Sequence, residues 1–163
     1  MHRSSWRSLA GSATLSLAVL ALAGCAAQPR AGAPAASQED PLVQTEWRLT
    51  QWTLPGGAAR LLPRGPQARP LTLAFSREGG EPRASGFAGC NRYTAGYVYA
   101  HGLLIVQAPV STRMACLSPE LSRLEGDYLQ ALTRIASSTL DAQSGQRYLT
   151  VTTTGGDTLR FER

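Results

Sequence analysis

Three cysteines hold the most distinctive chemistry in this 163-residue sequence. Cys25 closes the tetrapeptide Leu22-Ala23-Gly24-Cys25, which reads as a lipobox: a thiol preceded by small residues accepts a diacylglycerol and becomes the first residue after cleavage. With Cys25 used by lipid, Cys90 and Cys116 remain as an even pair. In an oxidising compartment such a pair predicts a disulfide. Closing a loop of about 26 residues stabilises a fold by roughly 3.5 kcal/mol in the chain-entropy model. The alternative is two free thiols on a metal ion. No histidine or carboxylate flanks either cysteine at zinc-ligand spacing, so no metal or cofactor site is assigned.

Other catalytic chemistry is sparse. Beyond the first few residues the one histidine is His101, beside Gly102 in an expected turn, with no neighbouring carboxylate to orient it. No nucleophile elbow, paired-histidine zinc motif or phosphate-binding glycine loop occurs, and without lysine a serine–lysine pair is impossible. Glu120, Glu125 and Asp127 could form an acid pair, although acids near a helix start serve dipole compensation and solubility. Trp47, Trp52, Tyr93, Tyr97 and Tyr99 could make a ligand platform or, as aromatics in strands usually do, a core. The expectation is a protein that works by contact and not by turnover.

The elements that must position these groups follow from periodicity. Trp47 to Leu54 reads as a strand ended by Pro55-Gly56-Gly57. Ala58 to Pro70, with three prolines and three arginines, reads as an exposed loop. Leu71, Leu73 and Phe75 alternate; Gly79-Gly80-Glu81-Pro82 breaks the chain before an extended stretch at Arg83 to Phe87. Tyr97 to Ala100 and Leu103 to Gln107 flank His101-Gly102 as a hairpin. Ser118-Pro119-Glu120 supplies an N-cap, a first-turn proline and an acid, so a helix starts there. Its apolar stripe is Leu121, Leu124, Tyr128, Leu132 and Ile135, with Arg123, Asp127 and Arg134 off it. Leu149 with Val151 and Leu159 with Phe161, around Gly155-Gly156, form a closing hairpin. The sum is an α+β fold, a curved antiparallel sheet of barrel or sandwich type with one helix packed on it.

Residues 1–24 have a basic start at Arg3 and Arg7, an apolar run from Leu9 to Leu22 and a small-residue end, the pattern of a removable signal peptide. Residues 25–40 read as the lipidated cysteine and a flexible tether of Ala, Pro, Gln, Ser and Gly, able to span about 50 Å at full stretch. Residues 41–163 are long enough for one core and read as one domain. Ala26 after the lipidation site favours the outer membrane in a two-membrane host, with the domain in the periplasm. The sequence holds 16 Lys plus Arg, all of them Arg, against 11 Asp plus Glu, for a net charge of +5. The arginines are scattered, which argues against nucleic-acid binding.

Gly89-Cys90-Asn91-Arg92-Tyr93-Thr94, Tyr97, Ser111-Thr112-Arg113-Met114-Ala115-Cys116 and Glu125 with Tyr128-Leu129 and Leu132 resemble the META domain of the HslJ family across nearly all of residues 41–163. The family's frequent glycine two places after the aromatic residue is shifted here to Gly96. The resemblance implies antiparallel strands with a helix on bacterial envelope lipoproteins or secreted proteins, with links to heat shock, novobiocin tolerance and secretion-system pilot proteins, and no established enzymatic activity. In this motif Gly89 and Gly96 give backbone freedom on either side of Asn91. Asn91, Arg92, Tyr93 and Arg113 are either a stapled turn under the helix or a recognition patch for an anionic or peptide ligand.

The functional expectation is therefore a monomeric, non-enzymatic envelope lipoprotein in stress tolerance or envelope maintenance, bound to the membrane through Cys25 and to a periplasmic protein or envelope component through its domain. The alternatives are an inhibitor of a periplasmic or host hydrolase and an assembly or pilot lipoprotein for an outer-membrane complex.

Overall fold

A computed structural model describes residues 40–66 and 68–163. The expected signal peptide, the lipidation site Cys25 and the tether up to residue 39 lie outside the described residues. Asp40, grouped above with the tether, is instead built into the domain. Its carboxylate accepts the Leu42 N–H at 2.9 Å and the Tyr97 hydroxyl at 2.5 Å.

Eight strands and one helix follow in the order β1 (Thr45–Thr53), β2 (Thr72–Glu78), β3 (Glu81–Phe87), β4 (Arg92–Ala100), β5 (Leu103–Ser111), α1 (Pro119–Thr133), β6 (Ile135–Gln143), β7 (Gln146–Thr153) and β8 (Thr158–Glu162). They form one antiparallel sheet ordered β5-β4-β3-β2-β1-β8-β7-β6, curled into a half-barrel. Alternation drives the curl, because apolar residues at every second position put a continuous apolar face on the concave side. Trp47 and Leu49 on β1, Leu73 and Phe75 on β2, Tyr93 and Tyr97 on β4, Leu149 and Val151 on β7 and Leu159 and Phe161 on β8 are all buried there. The register against β8 shifts between Leu49 and Gln51, so Thr50 and Gln51 are both exposed and Trp52 returns to the core.

Three hairpins turn on two residues that both have positive φ: Gly79-Gly80, His101-Gly102 and Ser144-Gly145. This backbone matches the right-handed strand twist. It explains why glycine fills at least one place in each turn.

The helix begins as its sequence predicts. Ser118 caps it by accepting the Leu121 N–H, Pro119 occupies the first turn and Glu120 follows. The helix N-terminus and the Ser118 hydroxyl hold the Glu120 carboxyl below its usual range. Leu124, Tyr128, Ala131 and Leu132 face the sheet. The Tyr128 ring lies 5.9 Å from Tyr93, 6.3 Å from Trp52 and 6.4 Å from Phe161. Ile135, placed above on the helical stripe, instead opens β6. That strand escaped the periodicity because it is a polar edge with almost no buried residue, and its first apolar side chain keeps helical spacing from Leu132.

Candidate functional site

The motif segments meet at one buried polar hub. Gly89 opens it with φ +103°, and a Cβ there would stand 3.3 Å from Leu124 Cδ2. Cys90 and Cys116 are joined in a disulfide with Cα atoms 5.6 Å apart. The next residue, Asn91, is 4% exposed and has every polar atom of its amide engaged. Its Oδ1 accepts the Thr112 hydroxyl at 2.8 Å and the Met114 N–H at 2.9 Å. Its Nδ2 donates to Met114 O at 3.2 Å and to Glu125 Oε2 at 3.0 Å.

Glu125 is the helix's contribution. Besides the Asn91 amide, its Oε2 accepts the Asn91 backbone N–H at 2.9 Å, and its Oε1 accepts the Ser111 hydroxyl at 3.0 Å. A role in dipole compensation was the expectation; the observed role is to tie α1 to the start of β4 and the end of β5. Asp127 instead pairs with Arg60, whose guanidinium stacks over the Trp52 ring at 4.6 Å. Glu125 also stands close to both cysteine sulfurs, but with those sulfurs bonded to each other the thiolates a metal needs are absent.

The four residues grouped as a recognition patch divide. Asn91 and Tyr93 are buried and cannot meet a ligand, whereas Arg92 and Arg113 are exposed. Arg92 is tied to the disulfide-clamped segment by its carbonyl, which accepts the Thr112 N–H at 2.9 Å. The Tyr93 and Tyr128 hydroxyls both donate to Thr72 O, at 2.9 and 3.1 Å. Burial pushes both phenols well above their ordinary range. Gly96 does not lie in a turn: it sits in β4, where the register against β5 shifts. His101 is exposed at its hairpin tip, and Trp47, Trp52, Tyr93 and Tyr97 are core residues.

What the hub supports is an exposed apolar surface. Asn91 and the disulfide hold Arg113–Leu117 outward, leaving Met114 68% and Leu117 97% exposed. Beneath them opens a cleft of about 490 Å³ walled by Pro63, Phe87, Met114, Leu117 and Leu121, with Arg64 and Arg69 on its lining. The loop between β1 and β2, expected only to be exposed, makes one wall. Its proline and arginine content was the available signal, but the pairing of that loop with the Cys116 segment is a long-range contact that composition cannot convey.

The two Cys-centred segments, joined through Asn91 and sealed to the helix by Glu125, belong together in a single family pattern, and the META domain model matches residues 40–163. The chain belongs to the META domain family. A solved NMR structure of a protein from Burkholderia xenovorans is 38% identical, covers 75% of this chain and 83% of its own, and superposes with a TM-score of 0.67. A second NMR structure is 24% identical over 72% of this chain and 86% of its own, with a TM-score of 0.47. No curated protein matches. In this META domain the family motif is thus the inner framework of the Cys90–Cys116 corner, and the surface that framework presents is the cleft.

Proposed function

We propose that this META domain is a non-enzymatic binding module of an envelope lipoprotein, anchored through Cys25 and contacting its partner through the cleft at the Cys90–Cys116 corner. The observation that carries the reading is Leu117, fully exposed at 97% beside Met114 on a segment locked by a disulfide and a buried asparagine. A rigid segment that presents apolar side chains to solvent has its ordering cost met in the free protein, which favours contact with another surface. The HslJ resemblance suggests that this contact serves heat or antibiotic tolerance, with the outer membrane's periplasmic face as the location.

The test is complementation of a deletion strain under heat and novobiocin. The wild-type chain restores growth, while Leu117→Glu, at a side chain that is 97% exposed, does not although it accumulates to normal levels. Full rescue by that variant would remove the cleft as the contact face. Inhibition of a hydrolase is a second reading favoured by the same locked, protruding segment. Affinity capture from envelope extracts distinguishes the two: recovery of a hydrolase lost with Leu117→Glu supports inhibition.

A further inference from the structure

Resting on the cleft as the contact face, we propose that it binds an anionic phospholipid, with one acyl chain between Phe87 and Leu121 and the phosphate held by Arg64 and Arg69. The chemistry of the lining points there. The walls are hydrocarbon from Pro63, Phe87, Met114, Leu117 and Leu121, and among the described residues no Asp or Glu lines the cleft. A volume of about 490 Å³ falls within the range of sites that enclose a small ligand.

The two arginines supply a complementary head-group site. The Arg69 guanidinium lies 4.1 Å over the Phe87 ring, which fixes its plane and leaves its edge donors free for an oxyanion. Among the described residues the one ion pair is Arg60 with Asp127, so Arg64 and Arg69 have no carboxylate to compete with a phosphate. Stacked guanidinium and bidentate phosphate contact are compatible in one geometry.

The walls fit an acyl chain better than a peptide. An extended peptide needs backbone donors and acceptors on its host. Here the Met114 N–H and C=O are both taken by Asn91, the Phe87 N–H is taken by Thr72 Oγ1 at 3.0 Å, and the Ala88 N–H by Asn91 O at 2.9 Å. A hydrocarbon chain asks for none of these, and it covers the exposed carbons of Met114 and Leu117.

The sequence contains two methionines, of which Met114 lies on the cleft and Met1 belongs to the segment removed when Cys25 is lipidated, so in the lipidated chain a methionine-methyl NMR label reports this site alone. The full lipidated chain is placed in phosphatidylcholine membranes that contain either tail-spin-labelled phosphatidylglycerol or tail-spin-labelled phosphatidylcholine. The Met114 methyl signal is expected to broaden with the anionic label and not with the neutral one. Arg64→Gln with Arg69→Gln is expected to weaken the effect about tenfold, with unfolding still cooperative and the melting temperature lowered by a few degrees at most through loss of the Arg69–Phe87 stacking. Equal broadening by both labels, or broadening indifferent to the two arginines, overturns the proposal. Protection of Met114 by a captured envelope protein, without lipid broadening, also overturns it yet leaves the binding module intact. Loss of both effects removes both.

Discussion

Ser138 on β6 stands between the two ends of the curled sheet: its hydroxyl accepts the Leu104 backbone N–H of β5 at 2.8 Å and donates to Gly102 O at 2.6 Å. β5 and β6 are the two edges of the sheet, and edges expose unpaired backbone groups. One side chain thus does part of what an eighth ladder of backbone bonds would do. Replacing Ser138 by Ala leaves the Leu104 N–H without its partner at a cost of about 1–2 kcal/mol. Hydrogen exchange at Leu104 is expected to quicken in that variant by more than at amides in β1 and β8, which exchange through global unfolding and follow only the change in overall stability.

The disulfide and Asn91 hold the same corner by different means. Reduction, or Cys90→Ser with Cys116→Ser, is expected to lower unfolding free energy by about 3 kcal/mol, read as a lower urea midpoint with and without reductant.

Asn91→Ala removes the partner of Met114 N, Met114 O and the Thr112 hydroxyl at once, while Glu125 keeps the backbone N–H of residue 91. Leaving those groups unpaired costs about 2–4 kcal/mol by urea unfolding. Arg92→Ala and Arg113→Ala, both exposed, are expected to stay within about 0.5 kcal/mol of wild type in the same measurement.

Gly86 on β3 is a site of close approach. A Cβ there would fall 2.1 Å from Thr72 O, the carbonyl that accepts both Tyr93 and Tyr128. Gly86→Ala must therefore push β2 and β3 apart or disturb those phenols. The expected loss is about 1–3 kcal/mol, with a changed near-ultraviolet spectrum from the tyrosines as its signature.

Alkaline pH should unfold the protein through Tyr93 and Tyr128. Both phenols are raised in the folded state by burial, so the unfolded chain releases its protons first, near pH 10. Their contribution is complete below that pH and declines as pH rises above it, by about 1.4 kcal/mol per tyrosine per pH unit. Tyrosine absorbance followed alongside circular dichroism checks this: these two phenols should ionise only together with loss of structure. Ionisation of both in the folded protein would refute it.

Much of the architecture was legible because it rests on local rules. Alternation located seven strands, the Ser118-Pro119-Glu120 cap located the helix start, and His101-Gly102 marked a hairpin. The pairing of Cys90 with Cys116 followed from cysteine count and an expected oxidising compartment. What local rules could not supply was β6, whose polar edge has no buried face to impose a period of two, while Ile135 kept the spacing of the helix before it.

The sequence by itself determined the strands' inward faces, the capped helix and the cysteine pairing, because alternation, capping chemistry and residue counting act over a few neighbours or need no geometry. Only the tertiary structure decided that Asn91 and Tyr93 turn inward, that Glu125 binds Asn91 across 34 residues, and that Pro63, Arg64, Ala68 and Arg69 enclose a common cleft with Leu117. These are contacts between distant segments, and their energies depend on the curvature of a sheet that no local pattern encodes.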